Sequence, residues 1–335
     1  MSTNALNDLN AVPVLELEKN ENSTKGDFPK PFLDVNPDNS QNVNSVSCLS
    51  TAQTRAAEIH GAGVGNTEIN GVEVGNTEVE YVETESLTDL PAVDATLDTL
   101  MGRLDSKNWI SVCEALNNVR QLSVYHKDKL INLLGDLIPK IVKSLKNPRS
   151  AVCKTAIMTC GDIFKVYNDS MVEFIDPPLA QLLLKSSQDK RFVCDASEMA
   201  LIVMTTWISP SLLLPKLQPY LKNKNPRIRA KASMCFSRSV PRLGVEGIKE
   251  YGINKLIQIA ASQLSDQLPE SREAARTLAA ELQRFYERSQ LPSCEDSPQS
   301  ENNISWEAFC HAELSTLSAQ AILRVTTIPK EGSGS

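Results

Sequence analysis

LINLLGDLIPKIVKSLKNPRSAVCKTAIMTCGDIF, residues 130–164, holds the pattern that decides the fold. Leu130, Leu133, Leu134, Leu137, Ile138, Ile141, Val142 and Leu145 recur at three- and four-residue spacing and draw one apolar stripe along one helix. A second stripe follows through Val152, Ala156, Cys160, Ile163 and Phe164. Between the two lies Lys146-Asn147-Pro148-Arg149. Asn147 is placed to cap the second helix, and Pro148 to occupy its first turn, where no intrahelical N–H bond is lost. So short a break between two amphipathic helices predicts an antiparallel pair.

Outward from this stretch the same punctuation returns. It reappears at Lys224-Asn225-Pro226-Arg227, in weaker form at Asp189-Lys190-Arg191 and Leu268-Pro269-Glu270-Ser271-Arg272, and earlier at Ser106-Lys107-Asn108-Trp109. Successive breaks lie about 40 residues apart, the period of a two-helix HEAT or armadillo unit. The reading is therefore all-α: a HEAT/armadillo-like α-α solenoid over residues 88–290. Its five helical hairpins fall at roughly 88–125, 127–168, 169–207, 209–243 and 245–289. Each unit hides its apolar face only by stacking on its neighbours, so the array shares one core and lines its turns along each long edge.

The flanks read differently. Residues 1–87 are rich in Asn, Ser, Thr, Glu and Gly and show neither helical nor strand periodicity, as expected of a disordered leader. Within them Val64-Gly65-Asn66-Thr67-Glu68-Ile69 recurs nearly intact at Val74-Gly75-Asn76-Thr77-Glu78-Val79, a local duplication read as linker. Residues 291–303 read as a second linker. Over 304–325, Trp306, Phe309, Cys310, Leu314, Leu317 and Ala321 fall at helical spacing. That amphipathic helix either caps the last repeat or serves a partner at Trp306–Leu317; residues 326–335 read as a tail.

Charge divides along the same boundary. The chain carries a net −7, yet residues 1–90 hold 4 Lys/Arg against 15 Asp/Glu, and residues 91–290 hold 28 against 20. The acidic average thus conceals a basic repeat domain whose partner is expected to be acidic. Nucleic acid is the minor alternative, because the domain has few aromatics and no recognition helix, zinc finger or RNA-binding signature. The eight cysteines form no CxxC pair. Cys113, Cys153, Cys160, Cys194 and Cys235 fall in apolar helical stretches, where a reduced thiol packs as a small hydrophobe. No apolar run approaches the ~20 residues that span a bilayer, so no membrane is expected. His60, His126 and His311 lie far apart with no second ligand at metal spacing, and there is no phosphate-binding loop or nucleophile elbow. The expectation is a non-enzymatic protein without metal or cofactor.

The breaks before each second helix hold the candidate site: Lys107 and Trp109; Lys146, Arg149 and Val152; Lys190 and Arg191; Lys222, Lys224, Arg227 and Arg229; and Arg272. A helix N-terminus carries the positive end of the macrodipole and favours Asp or Glu, by roughly 0.3–1 kcal/mol at an exposed site. Cations set against that preference in one turn after another predict a stripe kept for a partner. Trp109 beside them has the character of an interface anchor.

At these residues the sequence resembles the TOG-domain family, the tubulin-binding HEAT arrays of the CLASP type. The likeness runs in order through KNWISVCEALNNVRQL (107–122), LKNPRSAVCKTAIMTCGDIF (145–164), SQDKRFVCDASEMAL (187–201), NPRIRAKAS (225–233) and LPESREAARTLAAEL (268–282). It implies a flat paddle whose intra-repeat turns hold an αβ-tubulin dimer. It further implies that Trp109 inserts against tubulin, that Arg149 and Val152 make the second-repeat contact, and that Arg191, Arg227 and Arg272 make the later ones. A cytoplasmic, microtubule-associated protein follows from it; the alternative is a HEAT/armadillo adaptor that binds another acidic protein. The acidic leader would mildly oppose the tubulin contact by repulsion from tubulin's acidic surface.

Overall fold

The computed structural model describes residues 81–188, 190–290 and 304–327, and all of them belong to one unit, Glu73–Ser335. Of the disordered leader expected over residues 1–87, residues 1–80, with the duplication and His60, lie outside the described residues. So do the linker at 291–303 and the tail from residue 328.

Five pairs of helices follow one another. They are α1 (Val93–Leu104) with α2 (Trp109–Tyr125); α3 (Lys127–Ile131) and α4 (Leu134–Leu145) with α5 (Ser150–Tyr167); α6 (Asp176–Gln188) with α7 (Arg191–Trp207); α8 (Pro210–Leu217) with α9 (Pro226–Ser239); and α10 (Gly244–Tyr251) and α11 (Ile253–Leu264) with α12 (Pro269–Ser289). Two more, α13 (Trp306–Glu313) and α14 (Thr316–Thr326), follow. No strand occurs among the described residues. The second helices stack in chain order, α2 on α5, α5 on α7, α7 on α9 and α9 on α12. Small buried residues let them approach: Ala115, Ala156, Cys160, Ala200, Ala232 and Ala279 are at most 4% exposed. The larger buried side chains, such as Leu116, Phe164, Leu201 and Phe236, fill the space between the layers, each worth roughly 1.5–3 kcal/mol of transfer free energy. This is the HEAT/armadillo-like solenoid that the periodicity predicts.

Two elements differ from that prediction. The stripe Leu130–Leu145 is two helices, because the Leu133 N–H bonds to the Leu130 carbonyl at 2.9 Å and turns the chain at Asn132-Leu133. Asn132 and Gly135 bracket the break, and both are poor helix formers. Repeat five divides in the same way at Gly252, whose φ of 95° separates α10 from α11. A side chain there would be strained, and its Cβ would lie 3.0 Å from Asn254 Oδ1.

The helix expected over 304–325 is likewise two, since Leu314 is extended and the Ser315 hydroxyl caps α14. Together they cover the last repeat. Phe309 stacks on Tyr286 of α12 with ring centroids 4.7 Å apart, and Trp306 stacks on Phe309 and tilts against Tyr286. Trp306 Nε1–H donates to Thr326 Oγ1, and Cys310, Ala319 and Ile322 are fully buried. The partner reading of Trp306–Leu317 is therefore corrected. Its apolar face is taken up by α11 and α12, because an open solenoid end needs covering, and only Leu317 points away at 80% exposure.

The first repeat also gains a piece from outside the expected boundary at residue 88. Residues 81–90 form a strap laid along α2. Arg120, completely buried, donates from Nε to Asp162 of α5 at 2.6 Å and from Nη1 to the Val82 carbonyl at 2.7 Å. Thr84 Oγ1–H donates to the other Asp162 oxygen at 2.7 Å. Further along, Tyr125 Oη–H donates to the Leu87 carbonyl at 2.6 Å, and Gln121 donates to the Thr88 carbonyl. A buried ion pair holds only when its remaining polar atoms are satisfied, and the strap supplies those partners.

Candidate protein-docking edge

Four of the five intra-repeat turns share one construction, those of repeats one, two, four and five. The N-caps of α2, α5, α7, α9 and α12 are Asn108, Arg149, Lys190, Asn225 and Leu268. Two residues ahead of the cap, a side-chain oxygen accepts the cap residue's own N–H: Ser106 Oγ at 3.1 Å, Asn147 Oδ1 at 2.9 Å, Asn223 Oδ1 at 2.9 Å and Asp266 Oδ1 at 3.1 Å. Such an Asx-type turn aims the chain into the next helix.

This geometry corrects the register read from the repeated Lys-Asn-Pro-Arg. Asn147 does not cap α5 and Pro148 is not in its first turn; Asn147 is the counterpart of Asn223, two residues before Asn225. The two similar tetrapeptides are thus offset by two positions. Arg149 stands where Asn225 stands, at the cap, with the extended backbone of a cap and an exposed side chain.

The offset sorts the cations. The position four after each cap is Val112, Cys153, Cys194, Arg229 and Arg272, and its polar members turn back on the chain that enters the turn. Cys153 Sγ–H donates to the Leu145 carbonyl at 3.2 Å and Cys194 Sγ–H to the Lys185 carbonyl at 3.3 Å. Arg229 donates from Nη1 to the Asn223 carbonyl at 2.8 Å and pairs through Nε with Asp266 at 2.6 Å, a carboxylate only 5% exposed. Arg272 donates from Nη1 to the Asp266 and Gln267 carbonyls, both at 2.9 Å. Arg227 reaches the Ser187 carbonyl near the C-terminus of α6 at 3.1 Å. These three guanidinium groups brace turns, which gives a basic residue in an unfavourable first turn a structural purpose. Burial pushes the Asp266 carboxyl up. The Arg229 and Leu268 hydrogen bonds and the Arg229 charge outweigh that, so it titrates below its ordinary value.

The other cations face solvent. Lys107, Lys146, Lys190 and Lys224 are exposed, and the Arg191 side chain is 96% exposed with Asp195 at 3.9 Å. Trp109, the first residue of α2, is half-buried against the core, and the Arg149 guanidinium lies 4.5 Å from its ring centroid. A cation over an indole face joins the first two turns into one patch. Val152 is fully buried in the core. Its expected place on the contact surface is therefore corrected: it lies on the inward face of α5, one residue before Cys153.

Sequence reading missed the strap and Lys154. Arg120 among Leu116, Val119 and Leu122, and Asp162 beside Cys160 and Ile163, are charges inside apolar stripes, a signal of a buried pair. Lys154 Nζ sits 3.9 Å from the Tyr81 ring centroid, at the point where the strap meets the edge.

The architecture defines a class, a helical-repeat protein with a basic turn edge. Within it the chain belongs to the CLASP N-terminal family, whose model matches residues 93–291. It is 29% identical over 124 residues to TOG array regulator of axonemal microtubules protein 1 of Mus musculus and 28% over 108 residues to the Homo sapiens protein. Those stretches are 37% and 32% of this chain but only 7% and 6% of the relatives' length. Among solved structures, a chain from work on microtubule plus end tracking by XMAP215, CLIP-170 and EB1 aligns with a TM-score of 0.50 at 15% identity, covering 72% of this chain and 97% of that one. The MAST/Orbit N-terminal domain aligns at 0.49 and 12% identity, covering 71% and 96%.

Proposed function

We propose that this protein is microtubule-associated and cytoskeletal, binding tubulin through the turn edge of its first three repeats. The observation that carries this reading is the Trp109–Arg149 pair flanked by exposed Lys107, Lys146 and Arg191. Tubulin is an acidic protein, and an aromatic anchor among accessible cations suits such a surface. Family membership and the axonemal-microtubule relatives point the same way. Arg227, Arg229 and Arg272 support the edge from within, and we assign them no direct contact.

The test is co-sedimentation of the full chain with microtubules, and size-exclusion binding to unpolymerised tubulin, at low and physiological salt. Arg149→Glu with Arg191→Glu is expected to lower affinity at least tenfold, about 1.4 kcal/mol, with unchanged helicity and melting. Wild-type binding that survives the double reversal would overturn the proposed edge. Absence of binding to either form would leave the adaptor reading.

A further inference from the structure

We infer that the open groove between α5 and α7 takes a short extended segment of a partner protein, apolar at alternate positions and basic between them. This goes beyond the turn-edge reading and does not depend on it.

The strap shows how this layer of the solenoid holds a second piece of chain. It crosses α2 and α5 with the Val82 carbonyl on Arg120, the Thr84 hydroxyl on Asp162 and the Leu87 carbonyl on Tyr125. The next interval of the same layer, between α5 and α7, is a groove of about 490 Å³, and residues 83–85 of the strap form one of its walls.

The two intervals are equivalent in the repeat and differ in chemistry. Arg120 stands twelve residues after the α2 cap and Asp162 thirteen after the α5 cap; the same positions in the second interval are Gly161 and Val203. The buried ion pair that anchors the strap has no counterpart there, and a Cβ at Gly161 would meet nothing within 4 Å. Ile157, Met158, Ala196 and Met199 complete an apolar floor. Met199 is 60% exposed and Phe192 39%, so together they leave an apolar patch of the kind that marks an interaction surface. Methionines suit such a floor, because a flexible thioether adapts to varied apolar side chains. The lining runs from residue 154 to 165 on α5 and from 192 to 203 on α7. At the helical rise that is about 17 Å, the span of about five extended residues.

Charge selects the occupant. The repeat domain is basic, but Glu83, Glu85, Asp162 and Asp195 line this groove against Lys154 and Lys165. Asp162 is neutralised by Arg120, and the Lys154 ammonium is held between the Tyr81 and Phe192 rings, 3.9 and 5.9 Å from their centroids. Asp195 has only the exposed Arg191, at 3.9 Å. Glu83 and Glu85 are exposed on the strap wall, and neither pairs with a cation among the described residues. In an extended chain alternate side chains face opposite sides, so apolar residues reach the floor while those between them lie at the rim. An acidic rim there attracts Lys or Arg and repels Asp or Glu.

Methionine-methyl NMR on the full chain decides it. The probe is a pool of blocked peptides of about seven residues, with Leu, Met or Phe at odd positions and Lys or Arg at even ones. Two companion pools carry Glu or Ser at the even positions. The basic pool is expected to shift the Met158 and Met199 methyls saturably and to leave those of Met101, Met171, Met204 and Met234 in place. Met199→Ser should weaken that binding about tenfold. Glu83→Gln with Glu85→Gln should weaken it about threefold and leave binding of the Ser pool unchanged. All three positions are exposed, so melting should be unchanged in both variants. No saturable shift at the two methyls, or shifts spread over the other methionines, overturns the inference. So does equal or tighter binding of the Glu pool, which would favour an acidic occupant. Shifts of the same two methyls as the protein alone is concentrated would seat a second copy there and overturn it as well.

Discussion

The turns of repeats one and two and those of repeats four and five look alike in sequence and differ in what their cations touch. Around Trp109 and Arg149 the basic side chains reach outward, and Arg149 leans on the indole. Around Asn225 and Leu268 the guanidinium groups of Arg229 and Arg272 fold back onto main-chain carbonyls. Position relative to the cap explains the difference. A residue at the cap lies outside the helix and points away from it, whereas one four residues on points toward the helix N-terminus and meets the turn. A basic residue in a loop thus says little until its register is known.

The largest expected effect comes from breaking the inward arrangement. Arg229→Ala leaves the buried Asp266 carboxylate without its cation and frees the Asn223 carbonyl, which should cost about 3 kcal/mol. Thermal unfolding should show it as a drop of roughly 6–12 °C. Arg149→Ala removes one exposed cation–π contact and should cost under about 1 kcal/mol. Equal losses in the two variants would erase the distinction between the two ends of the edge.

Arg272 sharpens the comparison with a smaller effect, since it holds two carbonyls and no carboxylate. Arg272→Ala is expected to cost about 1–2 kcal/mol, read from the urea midpoint at unchanged slope, and Arg272→Lys to recover part of it. A neutral result would return Arg272 to the set of residues available to a partner.

The fold was legible because its signals are local. Stripes at helical spacing and breaks at a 40-residue period survive without knowledge of tertiary contacts, and the resemblance around Trp109 and Arg149 fits the same frame. The site was legible only as a zone. Val152 and Cys153 are neighbours in a stripe, and nothing in their spacing shows that both point inward while Arg149 does not. Nor does the tetrapeptide Lys-Asn-Pro-Arg reveal its two-residue offset, since Asn147 and Asn225 both accept an N–H two residues on. The strap was hidden for another reason. Residues 81–90 have the composition of the leader, and their order comes from partners 30 to 80 positions away in Arg120, Tyr125 and Asp162. Long-range pairing of that kind leaves its mark only at the receiving end, as charges among leucines.

The finest test of the comparison lies in the turn residues two before the cap, where repeat two has neutral Asn147 and repeat five has ionised Asp266. Both accept the cap N–H, but only Asp266 also pairs with an arginine. Its carboxyl titrates below the ordinary value when folded, so it binds a proton less readily than in the unfolded chain. Its stabilising contribution is therefore present above the unfolded pKa of about 3.9 and is lost as pH falls through the folded pKa. Asp266→Asn should be less stable than wild type near pH 6, and that gap should narrow as pH falls toward about 3. Because other carboxylates titrate in the same window in both proteins, the difference between the two isolates this one. Asn147→Asp, which would keep the cap N–H bond but has no arginine facing it four residues beyond the cap, should gain less pH-dependent stability than Asp266 supplies. A gap for Asp266→Asn that stays constant with pH would mean that the Arg229 pair adds nothing beyond the Asx turn, and that the two ends of the edge differ in packing alone.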